Sequence, residues 1–304
     1  MSLARQAERR GHRVWVVVNS RWACARDWQA ELQHGGRLWV IDHRLNREET
    51  AQQVLHVWQQ AAAKVLVVDV FPRGLAGELA ELLPRLSCPK VLIHRDLNPN
   101  YIARFHLDQF VSHYDLLLLP GEPAPWSHLP TACHTPAWLL RDHDELLPPA
   151  TARKWLNLTS SAALGVAASG RPEEMRELAQ LAQQLASHFA GRLQVRLFSP
   201  LCKTASPRPL LEFLPALDAL VGSGGYNTVQ EARQTCTPLF SFPRRRLYDR
   251  QAHRLLPCET MLNTTALLSQ LTAWLETPPP GPSRIPAYIN GAKWAVEKIE
   301  GLWR

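Results

Sequence analysis

Short apolar runs occupy residues 13–18, 38–41, 64–70, 91–94 and 116–119. Between most of them the apolar residues recur three and four apart, the spacing of one helix face. In 48–62 Val54, Leu55 and Trp58 share a face, and in 76–86 Leu79, Leu82 and Leu83 do. The chain opens on a helical pattern with Leu3, Ala4 and Ala7 on one side, stopped by Gly11. Strands alternating with helices predict a parallel sheet covered on both faces.

Residues 142–154 are polar and carry Pro148 and Pro149, which reads as a domain linker. The pattern then restarts: strand 162–168, helix 172–190, strand 193–198, a short strand 219–221, a glycine-rich loop, a helix from Tyr226, strand 239–242 and helix 265–275. This is a second doubly wound α/β layout, with no sequence repeat of the first. Five prolines in 277–286 end regular structure. A last amphipathic helix, 290–303, carries the stripe Ala292, Ala295, Val296, Ile299 and Trp303. The expected organisation is an N-terminal domain 1–141, linker 142–154, C-terminal domain 155–276, and 277–304 as a proline-rich turn and a helix crossing back to the first domain. Packing of that helix on its own domain is the alternative.

Composition narrows the class. The 304 residues are 46% apolar and 20% charged, which excludes long disorder and coiled coil. No apolar run approaches the ~20 residues that span a bilayer. The first ten residues show no signal-peptide core, so a cytoplasmic protein is expected, with possible membrane-peripheral attachment through Arg and Trp. Six scattered cysteines include no pair at zinc-knuckle or CxxC spacing and read as reduced thiols. Net charge is +7, carried by 28 Arg against 6 Lys. That favours phosphates or anionic membranes, although an arginine-rich genome gives the same excess. Nucleic acid is not expected as a partner, because no aromatic-and-basic RNA motif is present.

The densest chemistry lies in 217–251. A buried strand ends at Val221, Gly222-Ser223-Gly224-Gly225 turns the chain, and Tyr226-Asn227-Thr228 opens a helix. Glycine is expected to supply positive φ and close ligand approach, and unpaired N–H groups at a helix start favour a phosphate. Thr228-Val229-Gln230-Glu231 also fits a capping box, which would make Glu231 only a cap. The next strand end presents Arg244, Arg245, Arg246, Asp249 and Gln251. Arginine suits phosphate, and an acid with an amide suits sugar hydroxyls.

The series 223–232 (SGGYNTVQEA), with Pro238, Pro243-Arg244 and Asp249-Arg250-Gln251, resembles the donor-binding half of GT-B glycosyltransferases, closest to family 28 C-terminal domains. Relatives of that kind include the bacterial enzyme that adds N-acetylglucosamine to the peptidoglycan lipid precursor. The resemblance implies a GT-B fold, two Rossmann-like doubly wound domains facing a cleft, and inverting transfer of a sugar from a nucleotide donor, expected to be UDP-linked. It implies a diphosphate on Ser223, Gly224, Gly225, Asn227 and Thr228, a ribose on Glu231, and the donor sugar on Asp249 and Gln251. Arg244 and Arg245 are candidates for the leaving diphosphate, with no cofactor or metal required. Ser169 and Gly170 match a small-residue loop near the diphosphate, and Cys236 stands where the family usually has glycine.

The same resemblance implies a first strand and a Gly-His loop ahead of Met1, about twenty residues judged from a strand, loop and partial helix. A late-placed start is expected, and a truly truncated, inactive chain is the alternative. Without that loop histidine, Asp69, His94 and Asp96 at strand ends are the candidate bases for the unknown acceptor's hydroxyl. A nucleotide-sugar epimerase or hydrolase and a non-catalytic binding relative are the rival functions. The kinase-like His94-Arg95-Asp96-Leu97 lacks its partner motifs, and Asp142-His143-Asp144 sits in the expected linker.

Overall fold

The computed structural model describes residues 1–20, 28–159, 162–200, 208–276 and 285–303. Cys24, Cys202 and most of the proline-rich turn lie outside them. The chain divides into two compact units. Unit 1 comprises Met1–Trp138, Leu247–Asp249 and Asn290–Arg304, and unit 2 comprises Leu139–Arg246 and Arg250–Ile289.

Unit 1 runs α1 (Ser2–Arg9), β1 (Trp15–Val18), β2 (Arg37–Val40), α2 (Arg47–Ala61), β3 (Leu66–Asp69), α3 (Leu79–Leu82), β4 (Lys90–Ile93), α4 (Pro99–Phe105), α5 (Asp108–Val111), β5 (Leu116–Pro120) and β6 (Ala132–Thr135). Strands β3-β4-β5-β6 form a parallel four-stranded sheet, and β1 and β2 form a separate parallel pair. Helix α2 starts where the sequence asks it to. Asn46 caps it by accepting from Glu49 N–H at 3.0 Å, and Glu49 returns the bond to Asn46 N–H at 2.9 Å. The helix predicted over 76–86 shrinks to α3 and a 3-10 turn, Leu83–Arg85, because Pro84 has no N–H to continue it.

Unit 2 runs α6 (Pro149–Trp155), β7 (Ala162–Ala167), α7 (Pro172–His188), β8 (Leu193–Phe198), β9 (Ala219–Gly222), α8 (Tyr226–Gln234), β10 (Leu239–Ser241), α9 (Gln251–Arg254) and α10 (Thr264–Glu276). Its sheet is parallel in the order β10-β9-β7-β8. Strands β7 and β9 are buried nearly throughout, which is why they read as unbroken apolar runs rather than alternating ones. The stretch 142–154, read as a linker, is part of unit 2: Asp142 precedes a 3-10 turn (His143–Glu145), and Pro149 supplies a helix-compatible first position for α6.

The chain returns to unit 1 for α11 (Gly291–Glu300), capped by Asn290. Ala292, Ala295 and Ile299 pack with Val91, Leu118, Trp138 and Leu3, so the apolar stripe covers the β4–β5 face beside α1. Arg10 binds Glu300 through two bonds of 2.9 and 2.8 Å, and His12 adds a third at 2.8 Å. The hydrogen bonds from Arg10, and then from His12, hold the Glu300 carboxyl down, to about 2. A Cβ on Gly291 would overlap the Pro136 carbonyl.

Two outcomes are expected. Gly291→Ala forces backbone apart and costs about 1–3 kcal/mol, read as a melting-temperature drop of several degrees by calorimetry. Because Glu300 is depressed in the folded state, its stabilisation is complete above pH ~4.5, the ordinary glutamate range, and is lost as pH falls toward 2. An Arg10→Leu, His12→Leu variant therefore shows a shallower acid-side loss of melting temperature than the parent.

Candidate functional site

The order β10-β9-β7-β8 reverses direction at β7. From β7 the chain adds β8 on one side and then places β9 on the other. The segments leaving β7 and β9 therefore diverge at the carboxyl end of the sheet, the point at which open α/β sheets leave a crevice for ligand. After β7 comes Ala168-Ser169-Gly170, with Gly170 at φ +111°, a conformation that needs glycine. After β9 comes Ser223-Gly224-Gly225 and then α8.

The loop differs from expectation in two respects. Helix α8 begins at Tyr226 with Gly225 as its N-cap, so Thr228 is its third residue and the capping-box reading of Thr228 and Glu231 fails. None of Gly222, Gly224 and Gly225 has positive φ. Two of these glycines make room for protein instead. A Cβ on Gly222 would meet the Thr228 methyl at 2.9 Å, and one on Gly224 would meet Gln251 Cβ at 3.0 Å. Gly225 is different. Its φ of −67° and ψ of 148° suit any residue, and the nearest atom to a built Cβ is Ser223 Oγ at 3.7 Å. Neither backbone nor packing requires glycine there. The bare position lies at the start of α8, where main-chain N–H groups and the helix dipole face outward.

Ser223 and Thr228 are buried, and Asn227 is exposed on the first turn. Glu231 follows Asn227 by one turn and is half-buried. Burial, with no cation to offset it, pushes its carboxyl up to about 8. That burial favours the protonated form of Glu231 at neutral pH.

Gln251 begins α9 against Gly224, and its Oε1 accepts from Arg244 N–H at 2.9 Å. Its carbonyl oxygen is thus committed to the protein, leaving the amide NH2 for other partners. Arg244 pairs with Glu177 at 2.8 Å, and its Nε is buried and without a partner. Arg246 binds both oxygens of Glu174, which also accepts from Arg171 N–H at 2.9 Å beside Gly170. Arg245 is exposed. Asp249 belongs to Leu247–Asp249, the short stretch counted with unit 1. The Ser241 hydroxyl, beside Gly222 in the β9–β10 ladder, is buried and unpartnered.

In unit 1, Asp69 ends β3 and Asp96 follows β4, the strand paired with β3. The Asp69 side chain is 68% exposed and lies 3.5 Å from Arg95. Asp96 N–H donates to Glu122 Oε1 at 3.1 Å, so Glu122, which the sequence reading missed, joins this end of the sheet from the turn after β5. His94 is corrected: it is 0% exposed, stacks on Trp126 at 4.5 Å, and accepts from Trp126 N–H on Nε2 at 3.3 Å. Burial lowers its pKa to about 4. A neutral, enclosed imidazole is a core group with no path to a hydroxyl. Among the described residues no cluster of His, Cys, Asp or Glu could hold a metal ion, and no helix is long and apolar enough to cross a membrane.

Glu231 yields a test that needs no ligand. Its folded pKa lies above the unfolded carboxyl value, so its contribution is full below pH ~4.5 and is lost as pH rises through about 8. Glu231→Gln is expected to flatten that part of the melting-temperature profile between pH 5 and 9.

No family model and no curated protein matches the sequence. Solved structures do. The chain is similar to the glycotransferase of kitacinnamycin at TM-score 0.64 and 14% identity, covering 100% of this chain and 95% of that one. It is similar to the Streptomyces sp. SF2575 glycosyltransferase SsfS6, complexed with thymidine diphosphate, at TM-score 0.56 and 13% identity, covering 99% and 94%. It is also similar to the UDP-N-acetylglucosamine 2-epimerase from Rickettsia bellii at TM-score 0.57 and 12% identity, covering 96% of each chain. At these identities the likeness is one of fold, and the fold is that of the GT-B glycosyltransferases, built on parallel α/β units.

Proposed function

We propose that unit 2 binds a nucleoside diphosphate sugar and that the protein transfers the sugar, with inversion, to an acceptor hydroxyl. The observation that carries this reading is Gly225, a glycine required by neither conformation nor packing, at a helix start on the switch point of a parallel sheet. A diphosphate resting on Gly224, Gly225, Asn227 and Thr228 would meet main-chain N–H groups with no side chain in the way. Glu231 would accept from the ribose hydroxyls once ionised. Gln251 would offer its amide NH2 to the donor sugar, and Asp249 would accept from the sugar's hydroxyls. The complex of a fold neighbour with thymidine diphosphate supports a nucleoside diphosphate as ligand, and UDP is our expectation for this chain.

In the proposed step, a unit 1 carboxylate, Asp69 or Asp96, takes the acceptor's hydroxyl proton. The acceptor oxygen bonds the anomeric carbon from the face opposite the nucleotide. The bond from that carbon to the diphosphate breaks, and the diphosphate leaves with the electron pair. The first turn of α8 and the side chains of Arg244 or Arg245 stabilise it, and no cofactor takes part. The reading places the work in the cytoplasm, with peripheral attachment to anionic membrane as an option for a lipid acceptor.

Calorimetric titration with UDP, TDP, GDP and ADP tests the donor site. Selective binding is expected, weakened at least tenfold in Gly225→Ala while the melting temperature stays within about 1 °C, as befits a change that strains nothing. Affinity should rise between pH 7 and 9 as Glu231 ionises, and Glu231→Gln should abolish that rise. No binding by any nucleotide would overturn the assignment. Replacing the true base, by Asp69→Asn or Asp96→Asn, should cost about 10²–10⁴ in turnover without changing donor affinity.

A second reading, a nucleotide-sugar epimerase, is favoured by the likeness to the Rickettsia bellii enzyme. It predicts conversion of UDP-N-acetylglucosamine with no acceptor present, and proton NMR of the sugar mixture distinguishes the two.

A further inference from the structure

The loop after β3 holds a cation that the protein does not pair. Its first residue, Val70, has φ +65°, rare for a β-branched side chain. Val70 N–H donates to the Ile93 carbonyl and Phe71 N–H to the Asp69 carbonyl, each at 2.8 Å, so the chain leaves β3 through a γ-turn. Such strain persists only where the surroundings over-determine it, and it gathers at ligand sites. Here the surroundings do. The Tyr114 hydroxyl donates to the Pro72 carbonyl at 2.7 Å, Gly74 N–H to the Phe71 carbonyl at 2.9 Å, and Leu79 N–H to the Arg73 carbonyl at 3.0 Å. The loop's own acid, Glu78, is buried and spends its two oxygens on Leu75 and Ala76 N–H, at 3.0 and 2.7 Å.

That frame carries Arg73. Its guanidinium lies over the rings of Phe105 and Phe110, 5.7 and 5.5 Å from their centroids. A Cβ on Gly77 would stand 3.3 Å from Nη2, so glycine leaves that side bare. Nε is buried without an acceptor, and among the described residues the Arg73 side chain has no ion pair and no hydrogen bond. The half-buried Arg141, Arg233, Arg244 and Arg246 each meet a carboxylate. Aromatic faces steady a guanidinium but do not take its in-plane N–H donors. Phe105 and Phe110 belong to the core that holds Val68 and Leu92, whereas Leu3 of α1 packs with Val91 and Leu118. The sheet thus stands between the aromatic bed of Arg73 and α1.

We infer that Arg73 is an anion-binding residue and that it holds a phosphate or carboxylate carried by the acceptor. A guanidinium fixed in place, with its in-plane donors unspent, matches either group bidentately. The position agrees. Arg73 closely follows Asp69 at the carboxyl end of a parallel sheet, where such sheets take their ligands. Assigning the anion to the acceptor rests on the glycosyl-transfer reading, in which Asp69 or Asp96 takes the acceptor's proton. The acceptor then has two features, a hydroxyl for that carboxylate and an anionic group for Arg73. A neutral acceptor leaves the second unmet.

Glycerol 3-phosphate, glycerate and glycerol are the probes, all bearing hydroxyls and differing in charge. The NMR signal of the Arg73 Nε–H in the intact protein, identified by its loss in Arg73→Lys, reads binding at constant ionic strength. A saturable shift is expected with glycerol 3-phosphate or glycerate, the one that saturates naming the anion, and none with glycerol. Arg73→Lys keeps the charge without the fork and should weaken that binding about tenfold by calorimetry. Arg73→Gln should abolish it. UDP affinity should stay within about twofold in the Lys variant. Absence of a saturable shift with either anion overturns the site, and so does an equal shift with glycerol. Anion binding that UDP displaces makes the donor diphosphate the ligand of Arg73 and overturns the acceptor. Anion binding in a protein that takes no nucleotide leaves Arg73 as the anion site and overturns the acceptor together with the glycosyl-transfer reading.

Discussion

Main-chain pairing in a parallel sheet is the constraint on which the rest of this structure depends. Each strand has two hydrogen-bonding edges, and in a sheet buried on both faces water cannot serve them. Unit 2 meets the demand at β7, paired with β8 on one side and β9 on the other. Because the chain must change direction there to use both edges, the loops after β7 and β9 part, and the glycine loop at the head of α8 stands beside the parting. The candidate site is thus a by-product of satisfying backbone groups. In unit 1 the Gln29 side-chain amide serves the outer edge of β2, accepting from Leu38 N–H and donating to the Gly36 carbonyl, and among the described residues β1–β2 and β3–β6 form separate ladders.

Much of this was legible in the sequence because buried parallel strands are apolar throughout. The runs that became β7 and β9 could be placed by composition alone, and so could the glycine loop between β9 and α8. What could not be read was conformation within the loop. Glycine is compatible with positive φ, but the chain uses Gly222 and Gly224 for close packing against Thr228 and Gln251. Thr228 and Glu231 have capping-box spacing, yet Gly225 is the cap, because the spacing does not say where the first helical turn starts. His94 sits at a strand end like Asp69, but only tertiary packing tells which strand ends are roofed over, and Trp126 roofs this one. The 142–154 stretch looked like a linker because it is polar. Its prolines open α6 rather than break it.

The basic side chains after β10 show how net charge misleads. Arg244 and Arg246 look like a ready phosphate clamp, yet Glu177 and Glu174 on α7 claim them. The Glu174 pair links the turn after β7 to the segment after β10, the two walls on either side of the glycine loop. An anion competing for Arg244 must displace Glu177. Attraction there is an exchange of partners, worth less than a free arginine would give.

The contact between α1 and α11 has a consequence for the order of events in synthesis. Arg10 and Glu300 stand 290 residues apart in sequence, and the core between Leu3 and Ala292 spans a similar interval. Unit 2, whose strands all lie between these two helices, is made and able to collapse while α11 is still inside or unmade by the ribosome. Unit 1 spends that time with the β4–β5 face uncovered, and closes only when the last helix arrives. Contacts of such long sequence separation form late and slowly. The half of the molecule translated first is therefore the half that finishes folding last, and its open face is the surface a chaperone would meet.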